Sequence, residues 1–382
     1  MSIIYPLSSS SWDEKEIAAM HRVIRSGRFS MGEEVSLFEK EFAEFFGSKY
    51  AVMVNSGSSA NLLMIAALVY SGKLKRGDEI IVPAVSWATT YSPLQQFGLK
   101  VKFVDTDIET LNFNLEDLKN AINCKTKVIF CVNLLGNPND FNEIKHIIGE
   151  RDILLLEDNC ESMGAVYKGR FTGTIGLMGS FSFFYSHHIS TMEGGMITTN
   201  DDEMYHYLLS LRSHGWTRHL PKYNHLSNKS DDEFFESYRF VLPGYNVRPL
   251  ELSGAIGREQ IKKLPKILSV RRDNAKNFKK LVHKYNVITQ NEIDKSSWFG
   301  FSMIFEDRGK AIEAFKKYGI EYRPIVAGNF TRNPVIKYFK TKLDIYPGAS
   351  IIDMGGVYIG NHAYKIDFEP LKNALDEIYS LF

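Results

Sequence analysis

The stretch that decides the fold is Tyr50-Ala51-Val52-Met53-Val54-Asn55-Ser56-Gly57-Ser58-Ser59-Ala60. Its first five residues form a continuous apolar run, which predicts a short strand buried on both faces. The polar part then leads into an apolar helix that we predict to begin near Ala60. Gly57 permits a tight turn, and the hydroxyls of Ser58 and Ser59 with free backbone N–H groups at a helix N-terminus suit a phosphate. Taken alone, a turn with a helix cap explains the segment better.

The same alternation of strand and helix continues outward from this stretch. Continuous apolar strands separated by helices are typical of a largely parallel sheet, buried on both faces. In such sheets ligands bind at the carboxyl ends of the strands, which is where the polar clusters of this chain lie. We predict further strands at residues 79–82, 101–105, 128–132 and 153–156.

A change of pattern indicates a second domain. After Gly194-Gly195 the sequence predicts mainly helices, including one helix that runs toward Pro265 and another over residues 270–284. We therefore place a domain boundary there, with a large domain over residues 1–265 and a smaller C-terminal α/β domain over residues 266–382.

Composition excludes several classes of protein. The chain has 382 residues and a net charge of +1, so neither nucleic acid nor an acidic membrane is an expected partner. Three cysteines fit a reducing, cytoplasmic compartment and fall short of the four thiolates of an ordinary iron–sulfur cluster. The N-terminus does not have the pattern of a signal peptide, and no apolar run approaches the roughly 20 residues of a membrane span.

Two further motifs carry titratable groups. In the segment from Leu154 to Glu161, Asp158 follows a buried strand and could bind a protonated pyridine nitrogen, or simply cap the next helix. The pair His187-His188 could supply a general base or two metal ligands, or it could lie on the surface without a function. Neighbours on an extended strand point to opposite faces, and no zinc-type spacing is present, so we expect no metal site.

The order and spacing of the motifs together are more specific than any one of them. Over nearly its whole length the sequence resembles the sugar aminotransferase and dehydratase family of the aspartate-aminotransferase fold, which is pyridoxal-phosphate (PLP) fold type I. This resemblance implies an α/β protein with a large mixed, mostly parallel sheet domain and a smaller C-terminal α/β domain. The matching motifs are Gly32, Phe38-Glu39, Glu41-Phe42-Ala43, residues 77–83, Glu157-Asp158, Ser182-Phe183, Gly194-Gly195, His214-Gly215 and residues 244–248.

The resemblance also implies roles for individual residues. It implies that the turn with Gly57, Ser58 and Ser59 holds the cofactor phosphate together with Ser182, and that Trp87 stacks on the pyridine ring. Asp158 matches the partner of the ring nitrogen, and Glu161 matches a Gln or Glu near the ring hydroxyl. Asn246 resembles an asparagine that reaches the phosphate from the neighbouring subunit, which implies a homodimer with shared active sites.

One position departs from the family pattern. The lysine that forms a Schiff base with PLP lies five residues after the motif serine and seven before the Gly-Gly pair, and both counts arrive at His187. No lysine occurs between Lys168 and Lys222. The cofactor must then be held without a covalent bond, as PLP or as pyridoxamine phosphate (PMP). An imidazole, with an ordinary pKa of ~6.5, can instead act as a base near neutral pH.

This histidine resembles that of the C3 dehydratases within the family. The shortage of cysteines, the segment Ser186–Gly195 and residues 214–218 favour their cluster-free branch, which acts on a GDP-linked sugar. That implies removal of the 3-hydroxyl from a nucleotide-linked 4-keto-6-deoxy sugar, with L-glutamate regenerating PMP and hydrolysis releasing product and ammonia. It also implies a place in deoxysugar and lipopolysaccharide O-antigen biosynthesis. His214 and Arg218 are expected on the substrate side, while His188 is expected to be structural.

Two alternatives stay open. A sugar aminotransferase is disfavoured by the missing lysine. A PLP-fold protein that has lost catalysis and binds a partner is disfavoured because the rest of the cofactor shell is present. The sequence does not identify the general acid for the departing hydroxyl, nor the roles of Arg323, Asn329 and His362.

Overall fold

The computed structural model describes residues 3–379, and its strands form one large sheet and two small ones. The strands are β1 Tyr50–Val54, β2 Glu79–Pro83, β3 Lys100–Val104, β4 Thr126–Val132, β5 Leu154–Asp158, β6 Val166–Tyr167, β7 Arg170–Phe171, β8 Met178–Ser182, β9 Gly195–Thr199, β10 Ile288–Thr289, β11 Gly300–Ile304, β12 Tyr322–Arg323 and β13 Gly356–Gly360.

Helices cover the large sheet and flank the smaller one. They are α1 Glu14–Ser26, α2 Glu33–Phe46, α3 Gly57–Tyr70, α4 Ala88–Gln96, α5 Leu115–Ala121, α6 Phe141–Ile148, α7 Asp202–Arg212, α8 Glu233–Ser237, α9 Glu251–Val282, α10 Arg308–Lys317, α11 Pro347–Gly355 and α12 Glu369–Ile378. Short 3₁₀ turns lie at Leu134–Gly136, Phe330–Arg332 and Pro334–Tyr338.

The large sheet has the strand order β1-β9-β8-β5-β4-β2-β3. Strands β3, β2, β4, β5 and β8 pair in parallel, whereas β9 is antiparallel to both β8 and β1. The predicted α/β class with a mixed, mostly parallel sheet is therefore confirmed. Because six of the seven strands run the same way, their carboxyl ends meet at one edge.

Two expectations about the second half of the chain were wrong. The segment after Gly194 does not turn directly to helix, since β9 first inserts between β8 and β1. The two helices expected on either side of Pro265 are one helix, α9, with the proline in its interior. Burial explains this, because Ile261, Leu264 and Leu268 pack in one core and so hold the chain helical despite the lost N–H.

Two apolar cores meet along α9. Its first part packs in the core that includes Phe38, Phe42 and Phe181 under the large sheet. Its last part, from Ala275 to Val282, packs with the smaller sheet. The boundary at residues 265/266 stays a prediction, and residues 1–2 and 380–382 of the two predicted domains lie outside the described part of the chain.

Glycines allow α9 to approach α2 closely. A Cβ at Gly254 would lie 2.6 Å from the backbone nitrogen of Val35, and one at Gly257 would lie 2.4 Å from the ring of Phe38. The same helix supports the loop after β8, because the side-chain oxygen of Gln260 accepts a hydrogen bond from the backbone N–H of Ser190 at 3.1 Å. The seating of α9 on α2 thus positions the loop that carries His187.

We predict that Gly254→Ala lowers the free energy of unfolding by about 1–3 kcal/mol, because backbone atoms of α2 cannot move aside as a flexible side chain can. Urea unfolding followed by circular dichroism measures it. Gly309→Ala in α10 is the matched control, since its Cβ would meet only the Asp307 carboxylate, at 3.2 Å. Equal stability of the two variants would contradict close packing of α9 on α2.

Candidate active site

A cavity of about 520 Å³ opens at the carboxyl edge of the large sheet, where the smaller sheet faces it. It collects residues that follow β1, β2, β5 and β8, together with residues of β12 and β13. Its lining includes seven of the predicted site residues, namely Gly57, Ser58, Trp87, Asp158, Glu161, Ser182 and His187.

The beginning of α3 forms a cradle for an anion. Ser56 caps the helix, and its hydroxyl accepts a hydrogen bond from the backbone N–H of Ser59 at 3.1 Å. A Cβ at Gly57 would lie 2.7 Å from Cβ of Ser182 and 2.8 Å from Sγ of Cys160, so only glycine fits there. Hydroxyls and backbone N–H groups at a helix N-terminus match the needs of a phosphate.

Asp158 ends β5 and is buried, with 6% of its surface exposed. One carboxylate oxygen accepts hydrogen bonds from Asn61 Nδ2 and Thr90 Oγ1, each at 2.7 Å, and the other accepts from the backbone N–H of Cys160 at 3.2 Å. These donors replace water that the carboxyl group loses on burial. An ionised carboxylate at that depth is a suitable partner for a protonated pyridine nitrogen.

Trp87 and Glu161 also line the cavity. Trp87 is 59% exposed although it lines the cavity, so its ring is free to stack on a planar ligand. Glu161 accepts a hydrogen bond from the backbone N–H of Leu135 at 3.1 Å. Burial, together with the negative charge of Asp158, raises the pKa of Glu161 to about 7. These features fit an aromatic, phosphorylated cofactor such as PLP.

His187 lies on the cavity wall with its ring 5.1 Å from the ring of Phe299. Its Nδ1 is buried and has no hydrogen-bond partner within residues 3–379. Burial lowers the pKa of His187 to about 4, and the positive charge of Arg271 acts in the same direction. The imidazole is therefore neutral at pH 7 and can accept a proton.

His188 points away from the cavity. It is buried, and its Nε2 lies 3.0 Å from the backbone oxygen of Ser297. Because a carbonyl oxygen only accepts, this nitrogen carries the hydrogen. Neighbouring histidines thus face opposite ways, one toward the site and one into the protein interior.

Four predicted site residues do not line this cavity. The hydroxyl of Ser59 donates to Asn55 Oδ1 at 2.6 Å. The other three lie near Trp216: the ring of His214 is 4.9 Å from the indole, and the guanidinium of Arg218 lies 6.0 Å from it. Asn246 pairs with the backbone of Ser213 beside them. Arg218 and Asn246 are exposed and His214 is half-buried, so this group forms a second cluster that is partly exposed.

The structure also locates the residues whose roles the sequence left open. Arg323 lines the cavity beside its cross-strand neighbour Tyr358. Asn329 instead caps a 3₁₀ turn. His362 ties the N-terminal segment to the smaller sheet, because its two ring nitrogens each lie 3.0 Å from oxygens of Ser9 and Pro6.

Sequence reasoning missed the residues that support Asp158 and the apolar wall beside His187. The sequence does indicate a special role for Asn61, since it is a single amide in an otherwise apolar part of α3. It indicates none for Thr90, Phe299 and Tyr358, because each reaches the site from a distant segment of the chain. In residues 3–379 no group of three or more His, Cys, Asp or Glu is placed to hold a metal ion.

Comparisons with known proteins agree with this arrangement. Over 376 residues the chain is 58% identical to GDP-4-keto-6-deoxy-D-mannose 3-dehydratase of Escherichia coli O55:H7, covering 95% of this chain and 97% of that protein. The enzyme of the same name from Yersinia pseudotuberculosis is 56% identical over 382 residues, with 97% of each chain covered.

Solved structures are equally similar. The E. coli enzyme with bound hydrated PLP superposes with a TM-score of 0.96 at 56% identity, covering 98% of this chain and all of that one. A structure of GDP-4-keto-6-deoxymannose-3-dehydratase with a trapped PLP-glutamate geminal diamine gives 0.95 at the same identity and coverage. A histidine-to-asparagine mutant of GDP-4-keto-6-deoxymannose-3-dehydratase with bound GDP-perosamine also superposes with a TM-score of 0.95 at 56% identity, covering 97% of this chain and all of that one.

A sequence profile of one family matches residues 10–350, most of the chain. The fold, the cofactor-shaped cavity and the relatives all agree with that match. The chain belongs to the DegT/DnrJ/EryC1/StrS aminotransferase family.

Proposed function

We propose that this chain is a PLP/PMP-dependent C3 dehydratase of a nucleotide-linked 4-keto-6-deoxy sugar, with GDP-4-keto-6-deoxymannose as its substrate. The observation that carries the proposal is a neutral imidazole, that of His187, on the wall of a cavity otherwise suited to PLP. The choice of a GDP-sugar rests on the relatives at 56–58% identity and not on the side chains that line the cavity.

Each residue of the site has a separate role in the proposed reaction. When bound, the cofactor supplies an electron sink for negative charge that develops on carbon. The start of α3 and Ser182 hold its phosphate, Trp87 covers its ring, and Asp158 keeps its ring nitrogen protonated. His187 takes up the proton removed from the carbon next to the cofactor amine, which allows the 3-hydroxyl of the sugar to leave.

The absence of a lysine at position 187 distinguishes this activity from transamination. A lysine amine would displace the sugar amine from the cofactor, and an imidazole cannot. The deoxygenated product is therefore released by hydrolysis with loss of ammonia, and L-glutamate restores PMP. The trapped PLP-glutamate adduct of a relative supports glutamate as the amino donor.

The partly exposed cluster at Trp216 supports a homodimer with shared active sites. His214, Arg218 and Asn246 lie outside the cavity of their own subunit, yet the family resemblance places them at the substrate and phosphate. A second subunit would bring them to a cavity that lacks them. The neighbouring aromatic side chains Tyr238 and Phe240 are 72% and 54% exposed, as expected of a surface that a second copy covers.

We further propose a cytoplasmic enzyme that makes a deoxysugar for lipopolysaccharide O-antigen. A nucleotide-linked substrate and three unpaired cysteines support a reducing compartment. Among residues 3–379, no helix is both long and apolar enough to cross a bilayer.

The cofactor spectrum tests the role of position 187. We expect L-glutamate to convert the absorbance of bound PLP into that of PMP in the wild type, with no borohydride-reducible bond to the protein at any stage. In His187→Lys we expect such a bond and a loss of dehydration of at least about 10²-fold, the usual contribution of a general base. A reducible bond in the wild type would contradict the assignment.

The acid limb of the pH profile tests whether His187 is neutral. Its base form exists above a pKa of about 4 and is lost as the pH falls through that value. At pH 5.5 we therefore expect kcat/KM close to its neutral value, whereas an ordinary imidazole would leave roughly a tenth. Circular dichroism at each pH serves as the control for folding. An acid limb of kcat/KM with its midpoint near pH 6.5 would contradict the burial of this base.

Mixing two inactive variants tests the shared sites. His187→Asn removes the base and Arg218→Ala removes a residue proposed to act across the interface, so we expect each homodimer to lose most activity. Subunits mixed and refolded together should regain about one quarter of the wild-type activity, since half of the random dimers carry one intact site. No recovery would show that Arg218 acts in its own subunit.

A further inference from the structure

Three carboxyl groups lie within five residues at the end of β5, and they differ in the hydrogen bonds that they accept. Glu157 accepts hydrogen bonds from the backbone N–H groups of Gly173, Ile175 and Gly176 at 2.6–2.7 Å, and from Asn133 Nδ2 at 3.3 Å. Asp158 accepts from Asn61, Thr90 and Cys160, as described above. Burial raises the pKa of Glu157, and its hydrogen bonds act in the opposite direction. Each of these two carboxyl groups accepts hydrogen bonds on both of its oxygens, which replace part of the water that it loses on burial.

Glu161 has one hydrogen-bond donor. Its Oε2 accepts from the backbone N–H of Leu135 at 3.1 Å, while Oε1 makes no hydrogen bond and no ion pair within residues 3–379. Leu135 is fixed in place, since it adopts a positive φ of 52° and its carbonyl accepts from the N–H of Phe299 at 3.0 Å. One oxygen of Glu161 is thus pinned, and the other is free to face the cavity.

The groups around Glu161 do not favour a negative charge. Asp158 is a like charge from β5, and His187, from the loop after β8, is neutral. Burial raises the pKa of the Cys160 thiol and of Tyr358 on β13, so both are neutral donors at most. Arg323 on β12 is the cation of the lining, and its side chain is exposed and bonds its neighbour's backbone oxygen rather than Glu161.

We propose that Glu161 works as a neutral carboxylic acid whose O–H donates a hydrogen bond to the ring-hydroxyl oxygen of the cofactor. This inference rests on the proposed function, and it goes beyond it by assigning the protonation state. An ionised carboxylate would meet an anionic ring oxygen as a like charge with two acceptors and no hydrogen. A proton between the two oxygens converts that repulsion into a charge-assisted hydrogen bond.

Proton linkage gives this arrangement a measurable consequence. Burial and the charge of Asp158 raise the pKa of Glu161 to about 7, so the acid form is lost as the pH rises through neutrality. If the cofactor prefers the protonated site, its affinity falls above that pH by up to about tenfold for each pH unit. A glutamine at this position keeps a donor and cannot titrate.

The test is the dissociation constant of PMP between pH 6 and 9 in three proteins: the wild type, Glu161→Gln, and Glu150→Gln, which changes an exposed carboxyl. The titration of PMP itself is common to all three, so the ratios between them report on the protein. We expect wild type and Glu150→Gln to lose affinity together above pH 7, and the ratio of Glu161→Gln to wild type to change by at least about tenfold by pH 9.

Infrared difference spectra of the cofactor-free proteins provide the second readout. A carboxylic-acid carbonyl band that disappears between pH 6 and 8.5 in the wild type, and is missing in Glu161→Gln, supports the neutral acid. Parallel affinity curves for all three proteins, or no such band, would overturn the inference while leaving the proposed function intact. A wild type that binds no PMP at any pH would instead contradict the proposed function.

Discussion

The site depends on the hydrogen bonds that support one carboxyl group inside the protein. Asp158 sits at the end of a buried strand, where an uncompensated charge would be expelled or neutralised. Three donors from three segments support this carboxyl group: an amide of α3, a hydroxyl of α4 and the backbone after β5. The helix that supplies Asn61 begins at the proposed phosphate site, so one helix would position both ends of the cofactor.

The second constraint is the low dielectric around His187, which disfavours the protonated, charged form of its imidazole. Within residues 3–379, Asp158 has several hydrogen-bond donors whereas Nδ1 of His187 has no partner, and burial keeps the His187 ring neutral. A lysine there would have formed a covalent bond with the cofactor aldehyde. On the proposed function, the histidine leaves the cofactor without a covalent bond to the protein and provides a base, so a substitution at one position changes the type of reaction.

Much of this could be predicted from sequence, for physical reasons that differ between residues. Buried parallel strands are continuous apolar runs, so β1, β2, β4 and β5 were evident. The family resemblance, counted from Ser182 and from Gly194, placed His187 at the position of the family's lysine. Strand β9 was missed, because it begins at the second residue of a Gly-Gly pair and pairs antiparallel within a sheet that otherwise runs one way. Phe299 and Tyr358 could not be predicted, since they reach the cavity from the distant segment that carries the smaller sheet.

The central claim is that this site removes a hydroxyl and leaves no amine on the sugar. The most direct measurement incubates the protein with GDP-4-keto-6-deoxymannose, PLP and ¹⁵N-labelled L-glutamate and follows the label. We predict equimolar 2-oxoglutarate, labelled ammonium and a 3-deoxy keto-sugar, with no ¹⁵N bound to carbon of the sugar. An amino sugar that retains the label and its 3-hydroxyl would contradict the claim and show an aminotransferase.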